Sequence, residues 1–395
     1  MLVLTFYQYG KQLDYSIFKL YHKKYSLQVR GEISWNSGDK LEWNIFNSYN
    51  KKLQTNNLDL NSNSQSLAIE NGLINYAQII AHPNLSNYTF AIIVHKIACG
   101  GADFTEISLL NQLSLDKLTK FKVVSPLQQA QDIALAEACL NYYLNSKHYA
   151  CFDSGFHKSI DVSQQLLAPN LTWLNQGVRN YGTFGLALNN LVSKLSDITD
   201  KKSAKGKWII IYLSNTMSLV CALKNGKSKY CSASDLFSLV PTPQNCGQLD
   251  PQLIHNLATS QQISPNEILD QALESNLANL ANSATSSLEE LLNSSQAQAK
   301  LAIDYYVHAL CQIITSAGNL LQGIDGIIFS GELGTNSPQL RQIIIDQLAW
   351  LGISLSNKAN LENQTKLHKK SSLAQVFSLK DSPHEAMLNQ LLERI

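Results

Sequence analysis

The segment that says most about the architecture reads Ile327-Ile328-Phe329-Ser330-Gly331-Glu332-Leu333-Gly334-Thr335-Asn336-Ser337-Pro338. Its apolar start, residues 326–329, has the length and β-branched content of a buried parallel strand. Ser337-Pro338 is typical of a helix N-terminus. Between strand and helix, a turn carrying Gly331 and Gly334 would let backbone N–H groups meet an anion or a nucleotide. An ordinary strand-to-helix turn explains the same pattern equally well.

The composition indicates a globular protein of two domains. The chain has 395 residues, too many for one ordinary core, and 45% of them are apolar while only 15% are charged. A net charge of +1 argues against a dedicated nucleic-acid or acidic-membrane binder. No apolar run reaches the roughly 18 to 20 residues that cross a bilayer, and the N-terminus lacks a signal pattern. Seven scattered cysteines, none in a CxxC pair, favour reduced cytoplasmic thiols.

Strand-like and helical patterns follow the same order in both halves of the chain. The first half predicts strands at 2–6, 15–20, 25–33, 41–46 and 90–97, a loop or an irregular edge at 47–66, and helices at 68–81, 114–124 and 128–145. The second half predicts a helix at 185–195, strands at 208–213, 218–223 and 227–231, and a helix at 301–321.

This repetition predicts an α/β fold of two domains, actin-like or sugar-kinase-like (the ribonuclease H-like ASKHA class), with a cleft between them. The expected N-terminal domain covers residues 1–150, with residues of about 385–395 packing back on it. The expected C-terminal domain, which would bind nucleotide, covers residues 151–384.

A short apolar strand at 149–152 delivers Asp153 at its carboxyl end. Ligands of open α/β sheets bind beyond the carboxyl ends of the strands, so an acid there is well placed to bind metal or to act on a phosphoryl group. The alternative is that Asp153 caps the turn that follows it.

Several spaced motifs, in order along most of the chain, resemble those of the acetate kinase (acetokinase) family. The most specific is Phe152-Asp153-Ser154-Gly155-Phe156-His157, which is similar to the family's F-D-T-A-F-H signature. The segment 95–101 resembles H-R-V-x-H-G-G, and 328–337 resembles the nucleotide turn F-T-G-G-I-G-E-N-S. Further segments resemble family motifs at 179–185, 213–219, 245–251 and 384–387.

The resemblance implies an ATP- and Mg2+-dependent kinase that converts a short carboxylate such as acetate or propionate into an acyl phosphate. It also implies a homodimer built through helices of the second domain. Nucleic acid and membrane are not expected as partners. The family match implies catalytic roles for Asp153 and Lys96, metal binding by Glu385 and Asp153, and nucleotide binding by Asn215, Gly331, Gly334 and Asn336.

The chain departs from the family pattern at residues that are expected to take part in phosphoryl transfer. The serines of the family's phosphate turn are absent from residues 9–14, where Asp14 replaces a lysine. Phosphoryl transfer needs charge neutralisation on the moving group, so each lost donor lowers the expected rate. Two family arginines and two histidines are replaced by Lys96, Asn245, Phe184 and Gln128.

Three functions therefore stay open. The chain is an acyl kinase with weakened or altered activity, a catalytically inactive homologue that binds nucleotide or regulates, or an enzyme with a different acceptor in the same cleft. Lys11 is a candidate for replacing charge near the former phosphate turn.

Overall fold

The computed structural model describes residues 1–35, 40–59, 76–235, 237–285 and 287–395. Internal contacts divide the chain into two compact units. Unit 1 comprises Met1–Lys158, Leu166–Asn190 and Ser382–Ile395, and unit 2 comprises Ser159–Gln165 and Leu191–Asp381. The domain limits drawn from the sequence stay predictions.

The strands are rich in β-branched and aromatic residues, which suit a pleated and half-buried surface. Their bounds are β1 (Leu2–Tyr9), β2 (Gln12–Tyr21), β3 (Lys24–Trp35), β4 (Lys40–Asn47), β5 (Lys52–Asp59), β6 (Ile92–Ile97), β7 (Ser108–Leu109), β8 (Lys147–Phe152), β9 (Lys207–Leu213), β10 (Ser218–Lys224), β11 (Lys227–Cys231), β12 (Ala233–Ser234), β13 (Phe237–Ser238), β14 (Gly326–Ser330) and β15 (Gln375–Ser378).

The helices frequently begin at a serine, asparagine or aspartate whose side chain accepts a backbone N–H of the first turn. Their bounds are α1 (Tyr76–Ala81), α2 (Pro83–Ser86), α3 (Gln112–Thr119), α4 (Pro126–Tyr142), α5 (Asp153–Phe156), α6 (Val162–Gln165), α7 (Leu171–Asn175), α8 (Gly185–Ile198), α9 (Pro251–Gln261), α10 (Pro265–Glu274), α11 (Leu277–Leu280), α12 (Leu288–Asn293), α13 (Ala297–Leu321), α14 (Gly331–Asn336), α15 (Pro338–Gln347), α16 (Asn357–Leu361) and α17 (Pro383–Arg394).

Unit 1 contains a mixed sheet in the order β5-β4-β3-β2-β1-β6-β8-β7. Strand β1 is antiparallel to β2 and parallel to β6, which is in turn parallel to β8. Successive residues of β1 serve two cores, because side chains alternate between the faces of a strand. Leu4 and Phe6 pack with Leu135 of α4 on one face. Val3 packs with Met387 and Leu388 of α17 on the other.

Unit 2 repeats the central part of this arrangement. Its main sheet has the order β11-β10-β9-β14-β15, in which β9 is antiparallel to β10 and parallel to β14, and β14 is parallel to β15. The corresponding order in unit 1 is β3-β2-β1-β6-β8. The core of unit 2 lies where α13 crosses the sheet, with Tyr306 and Leu310 packed among Ile209, Ile211 and Phe329.

One local prediction is wrong, one is decided between two alternatives, and one lies partly outside the described residues. Of the two alternatives for 47–66, a loop or an irregular edge, the described part is an edge, because strand β5 pairs antiparallel with β4 at the end of the sheet. The predicted glycine turn after β14 is the short helix α14. Of the predicted helix at 68–81, only Tyr76–Ala81 is described, and it is α1.

Candidate active site

Asp153 lies at the carboxyl end of β8, as the sequence predicts, and only 1% of its surface is exposed. Its Oδ1 atom accepts the N–H of Leu186, the second residue of α8, at 2.9 Å. Its Oδ2 atom accepts the Tyr7 hydroxyl at 3.5 Å. Helix α5 has Phe152 as its N-cap, without a side-chain capping bond. The alternative that Asp153 caps the turn after it is therefore wrong, since Asp153 holds a helix distant in sequence.

The chain around Asp153 leaves little space for larger side chains. A Cβ atom at Gly185 would overlap the carbonyl oxygen of Asp153, so α8 approaches this closely only because its first residue is glycine. Phe184, which precedes that glycine, has φ of 56°. Its ring centroid lies 4.4 Å from that of Tyr9. This part of the site is therefore aromatic and supplies no hydrogen-bond donor from the Phe184 side chain.

Lys96 points its ammonium group at two carboxylates inside unit 1. Its Nζ atom lies 3.0 Å from Oδ2 of Asp132 and 3.9 Å from Oδ2 of Asp153. It also donates to the carbonyl oxygen of Gln8 at 3.1 Å. The structure thus brings together the two residues predicted to be catalytic, and it adds Asp132 as the nearer partner of the cation.

Asp132 is held by three donors. Its Oδ2 atom accepts the N–H of Ala98 at 2.7 Å in addition to Lys96, and its Oδ1 atom accepts Nε2 of Gln128 at 3.0 Å. Burial raises the pKa of this carboxyl group, whereas the Lys96 charge and the hydrogen bonds favour its ionised form. The side chain of Gln128 also accepts the N–H of Gly10 at 3.0 Å. The network therefore ties the β1–β2 turn to helix α4.

Asp132 is not among the site residues predicted from the sequence. A signal was present, because Gln128 and Asp132 are four residues apart and so share one face of α4. Both are buried in a helix that continues with apolar residues. A polar pair on the buried face of a helix indicates an internal partner for it.

Glu385, the predicted metal ligand, lies in the first turn of α17. Its Oε2 atom accepts Nδ2 of Asn190 at 3.2 Å, and its side chain is half-buried. The preceding residue, His384, is buried with Nδ1 2.7 Å from Oγ1 of Thr5. Burial lowers the pKa of His384 to about 3, so this imidazole is neutral at neutral pH.

These carboxylates fit one kind of magnesium site. Within the described residues, no three His, Cys, Asp or Glu side chains form a metal-binding cluster. Mg2+ is usually held through one or two carboxylates, substrate phosphates and water rather than by a protein cage. Glu385 suits that role because it retains solvent access, whereas both oxygens of Asp153 already accept hydrogen bonds.

In unit 2, the predicted nucleotide residues Gly331, Gly334 and Asn336 all lie in α14, directly after β14. Gly331 has φ of 76°, and a Cβ atom there would lie 2.5 Å from the carbonyl oxygen of Leu213 in β9. A Cβ atom at Gly334 would meet only ordinary contacts, the nearest at 3.4 Å. Gly331 is therefore required by backbone geometry, and Asn336 is exposed.

Asn215 follows β9, the strand next to β14 in the sheet. Its Oδ1 atom accepts the N–H of Leu288, the first residue of α12, at 2.8 Å. Its amide oxygen thus fixes the backbone at the start of α12, which lies 73 residues further along the chain. The carboxyl ends of two neighbouring parallel strands therefore carry the residues predicted to bind nucleotide.

Residues 21–388 match the model of the Acetokinase family. The chain belongs to this family. It is 28% identical to the acetate kinase of Rickettsia akari over 286 residues, which is 72% of this chain and 74% of that one. It is also 28% identical to the acetate kinase of Methylocella silvestris over 72% of this chain and 70% of the relative.

Solved acetokinase structures share the fold. The acetate kinase of Entamoeba histolytica has a TM-score of 0.81 at 20% identity, covering 100% of this chain and 99% of the other. A propionate kinase of Francisella tularensis has a TM-score of 0.82 at 20% identity, covering 98% of both chains. The predicted α/β two-domain ASKHA-like fold is thereby confirmed. Among the described residues, no helix has the length and apolar character needed to span a membrane.

His157, the last residue of the acetokinase signature segment, is a packed histidine in unit 1. Its Nε2 atom lies 3.0 Å from the carbonyl oxygen of Thr183, and burial lowers its pKa to about 4. A Cβ atom at Gly182 would overlap its ring. The motif therefore contributes a neutral, tightly enclosed side chain beside Asp153.

Proposed function

We propose that this acetokinase transfers the γ-phosphoryl group of MgATP to a short-chain carboxylate, acetate or propionate, at a rate far below that of the family. One observation carries the proposal: Lys96 faces Asp153, but its charge is already shared with Asp132 at 3.0 Å. Family membership and the curated relatives named acetate kinase support the reaction class.

On the acceptor side, Lys96 would hold the carboxylate or the phosphoryl oxygens, and Asp153 would position them. A lysine retains the charge of the family's arginine but not its two-pronged hydrogen bonding. Tyr7 limits the space beside this pair, since its ring centroid lies 5.7 Å from Nζ of Lys96. These features support binding of a small acceptor with reduced stabilisation of the transferred charge.

On the donor side, Gly331, Gly334, Asn336 and Asn215 would bind ATP. Glu385 would hold Mg2+ by way of the nucleotide phosphates, and the buried Asp153 would have a secondary role at the ion. The ion would neutralise charge on the transferred phosphoryl group. Gly331 supports this assignment because it lets the backbone approach closely at the carboxyl end of β14, where ligands of such sheets bind.

The test is an acyl-phosphate trapping assay with hydroxylamine, MgATP, and acetate, propionate and butyrate in turn. An active acetate kinase and the Asp153→Asn variant serve as references. We expect product above the level of the variant, and more product from Asp132→Asn, which frees Lys96. No product at a sensitivity four decades below the reference, roughly 5.5 kcal/mol in barrier, would reject the catalytic function.

A second candidate is a catalytically inactive acetokinase that binds nucleotide and acts as a regulatory protein. The observation that favours it is the enclosure of Lys96 and Asp132, whose side chains are each only 1% exposed. This candidate predicts ATP binding by calorimetry without acyl phosphate from any acid. Asp132→Asn would then restore no turnover.

We also propose a homodimer in the cytoplasm. Leu301 and Tyr305 lie one turn apart on α13 and are 55% and 49% exposed, which supports an interface through this helix. Light scattering after gel filtration would give the mass in solution. A monomer, or a dimer unaffected by Leu301→Asp together with Tyr305→Asp, would contradict an interface there.

A further inference from the structure

Arg341, in α15 of unit 2, is a fully buried cation, with 0% of its surface exposed. Its guanidinium donates four hydrogen bonds, all to uncharged acceptors. They run from Nε to Oδ1 of Asn360 at 2.8 Å, from Nη1 to the carbonyl oxygen of Gly334 at 2.9 Å, and from Nη2 to the carbonyl oxygen of Asn360 at 3.0 Å and Oδ1 of Asn363 at 2.6 Å.

Across the described ranges, none of the ion pairs includes Arg341. Burial lowers its pKa to about 10, so the group still carries its charge at neutral pH. A buried charge without a counter-charge is costly and calls for an explanation. The nearby acid Glu362 is exposed and accepts Nε2 of Gln364 instead.

Arg341 contacts the end of helix α14, and this contact indicates a role for its charge. The carbonyl of Gly334 belongs to the last turn of α14, where helix carbonyls have no intrahelical partner. Arg341 therefore caps the helix that carries Gly331, Gly334 and Asn336. A neutral amide side chain would satisfy the same carbonyl but could not reach all four acceptors, so the guanidinium both ties α14 to residues 360–363 and places a positive charge beside α14.

We propose that Arg341 is a positioning residue for nucleotide binding, which fixes α14 through the Gly334 carbonyl and supplies a buried positive charge beside it for the anionic nucleotide. The inference rests on the proposed ATP binding and extends it to a residue that does not touch the ligand. A fixed cation that is buried attracts an anionic ligand more strongly than a cation in water does, because little solvent screens its charge.

A charge effect can be separated from a purely structural one by varying the charge of the ligand. We would titrate the full-length protein with MgATP, MgADP and adenosine by calorimetry. Arg341→Gln removes the charge and keeps hydrogen-bond donors. Asn363→Asp keeps Arg341 and adds a counter-charge at an exposed position that already accepts from Nη2. Lys358→Gln, on the exposed surface of α16, is the control for losing one positive charge nearby.

We expect Arg341→Gln to weaken ATP binding about tenfold, ADP binding less, and adenosine binding by less than about twofold. Asn363→Asp should weaken ATP binding about threefold. The effect is smaller than that of Arg341→Gln, and the protein should stay folded, because solvent partly screens the added charge at this exposed position. Arg341→Lys should restore most of the preference for ATP over adenosine. Lys358→Gln should leave all three affinities within about twofold of the original.

Equal loss of affinity for ATP and adenosine in Asn363→Asp, or no loss for either, would overturn the role of Arg341. If Arg341→Gln does not fold, the result with Asn363→Asp decides. An unmodified protein that binds neither ATP nor adenosine would overturn this inference and the nucleotide half of the proposed function together. Failure of the acyl-phosphate assay with ATP binding intact would leave the Arg341 inference standing.

Discussion

The Nζ atom of Lys96 lies 3.0 Å from Oδ2 of Asp132, and both side chains are almost completely buried. The lysine is thus paired and desolvated before any ligand arrives. An incoming carboxylate or phosphate must compete with a carboxylate of the chain itself, which the N–H of Ala98 and the amide of Gln128 also hold in place. The pair therefore sets the affinity of Lys96 for an anionic acceptor.

Replacing Asp132 by asparagine should lower the free energy of unfolding by about 3 kcal/mol, because a buried lysine then loses its nearest counter-charge. Urea unfolding at neutral pH measures the change. The matched control is Asp103→Asn, which breaks an ion pair with Lys120 of similar length, 2.9 Å, on the open surface. That variant should show no measurable change, since exposed pairs are solvated and screened. Equal losses in the two variants would contradict the special role of burial.

Gly331→Ala should destabilise unit 2 by about 2 kcal/mol or more, because the residue has positive φ and a Cβ atom would press on the backbone of Leu213. It should also abolish ATP binding in calorimetry. Gly334→Ala is the paired comparison, three residues along the same helix but with only ordinary contacts around its Cβ. We expect the second variant to fold normally. If the two variants lost the same amount of stability, the close approach of the backbone at Gly331 would not explain why this position is a glycine.

Asp14→Asn should change how stability depends on pH. The pKa of Asp14 is raised from 3.8 to about 7, chiefly by burial; the hydrogen bond from Gln12 and the Arg30 charge oppose this rise, and the Glu32 charge adds to it. Since the folded pKa exceeds the unfolded one, the original protein loses stability as pH rises from about 4 to about 7. The asparagine variant lacks this loss, so its advantage should grow over that range to roughly 2 kcal/mol, allowing for partial exposure.

Urea unfolding at half-unit steps between pH 5 and pH 8.5 would record this difference. Glu42→Gln is the control, because Glu42 is an exposed acid on β4 of the same sheet. Its unfolding curves should shift in parallel with those of the original protein. An Asp14→Asn advantage that shrank as the pH rose would reverse the expected sign.

Lys11→Ala tests whether a lysine in the β1–β2 turn replaces charge lost from the acetokinase phosphate turn. Lys11 is exposed, so its contribution to ATP affinity should be modest, about threefold, and should fade as salt is added. Lys23→Ala, in the turn between β2 and β3, provides an exposed lysine for comparison. Identical ATP affinity in the two variants would show that Lys11 does not contribute to nucleotide binding.

Local patterns were sufficient to predict most of the architecture. Apolar runs indicate β9 and β14, and the order of elements in the two halves predicts a repeated unit. The sequence leaves β5 open between a loop and an irregular edge because its residues, Lys52–Asp59, are mostly polar and pair at the edge of the sheet. Helix α14 was missed because six residues with two glycines show no helical periodicity.

The site was harder to predict than the fold, because its contacts join residues far apart in sequence. Lys96 and Asp132 are separated by 36 residues, and Asn215 and Leu288 by 73. No local pattern specifies such a pair. The resemblance to acetokinases named Lys96 and Asp153, but it could not show that a third side chain would neutralise the lysine.

Helix α17 has a consequence for how the protein is made. It places Met387, Leu388 and Leu391 against β1 and β6, strands that leave the ribosome before unit 2 is made. Translation of the intervening unit 2 takes roughly ten to forty seconds at ordinary speeds. During that time the nascent N-terminal sheet lacks its cover on one apolar face. Chaperones that shield growing chains would be needed most in this interval, and we expect a chain that ends before α17 to aggregate.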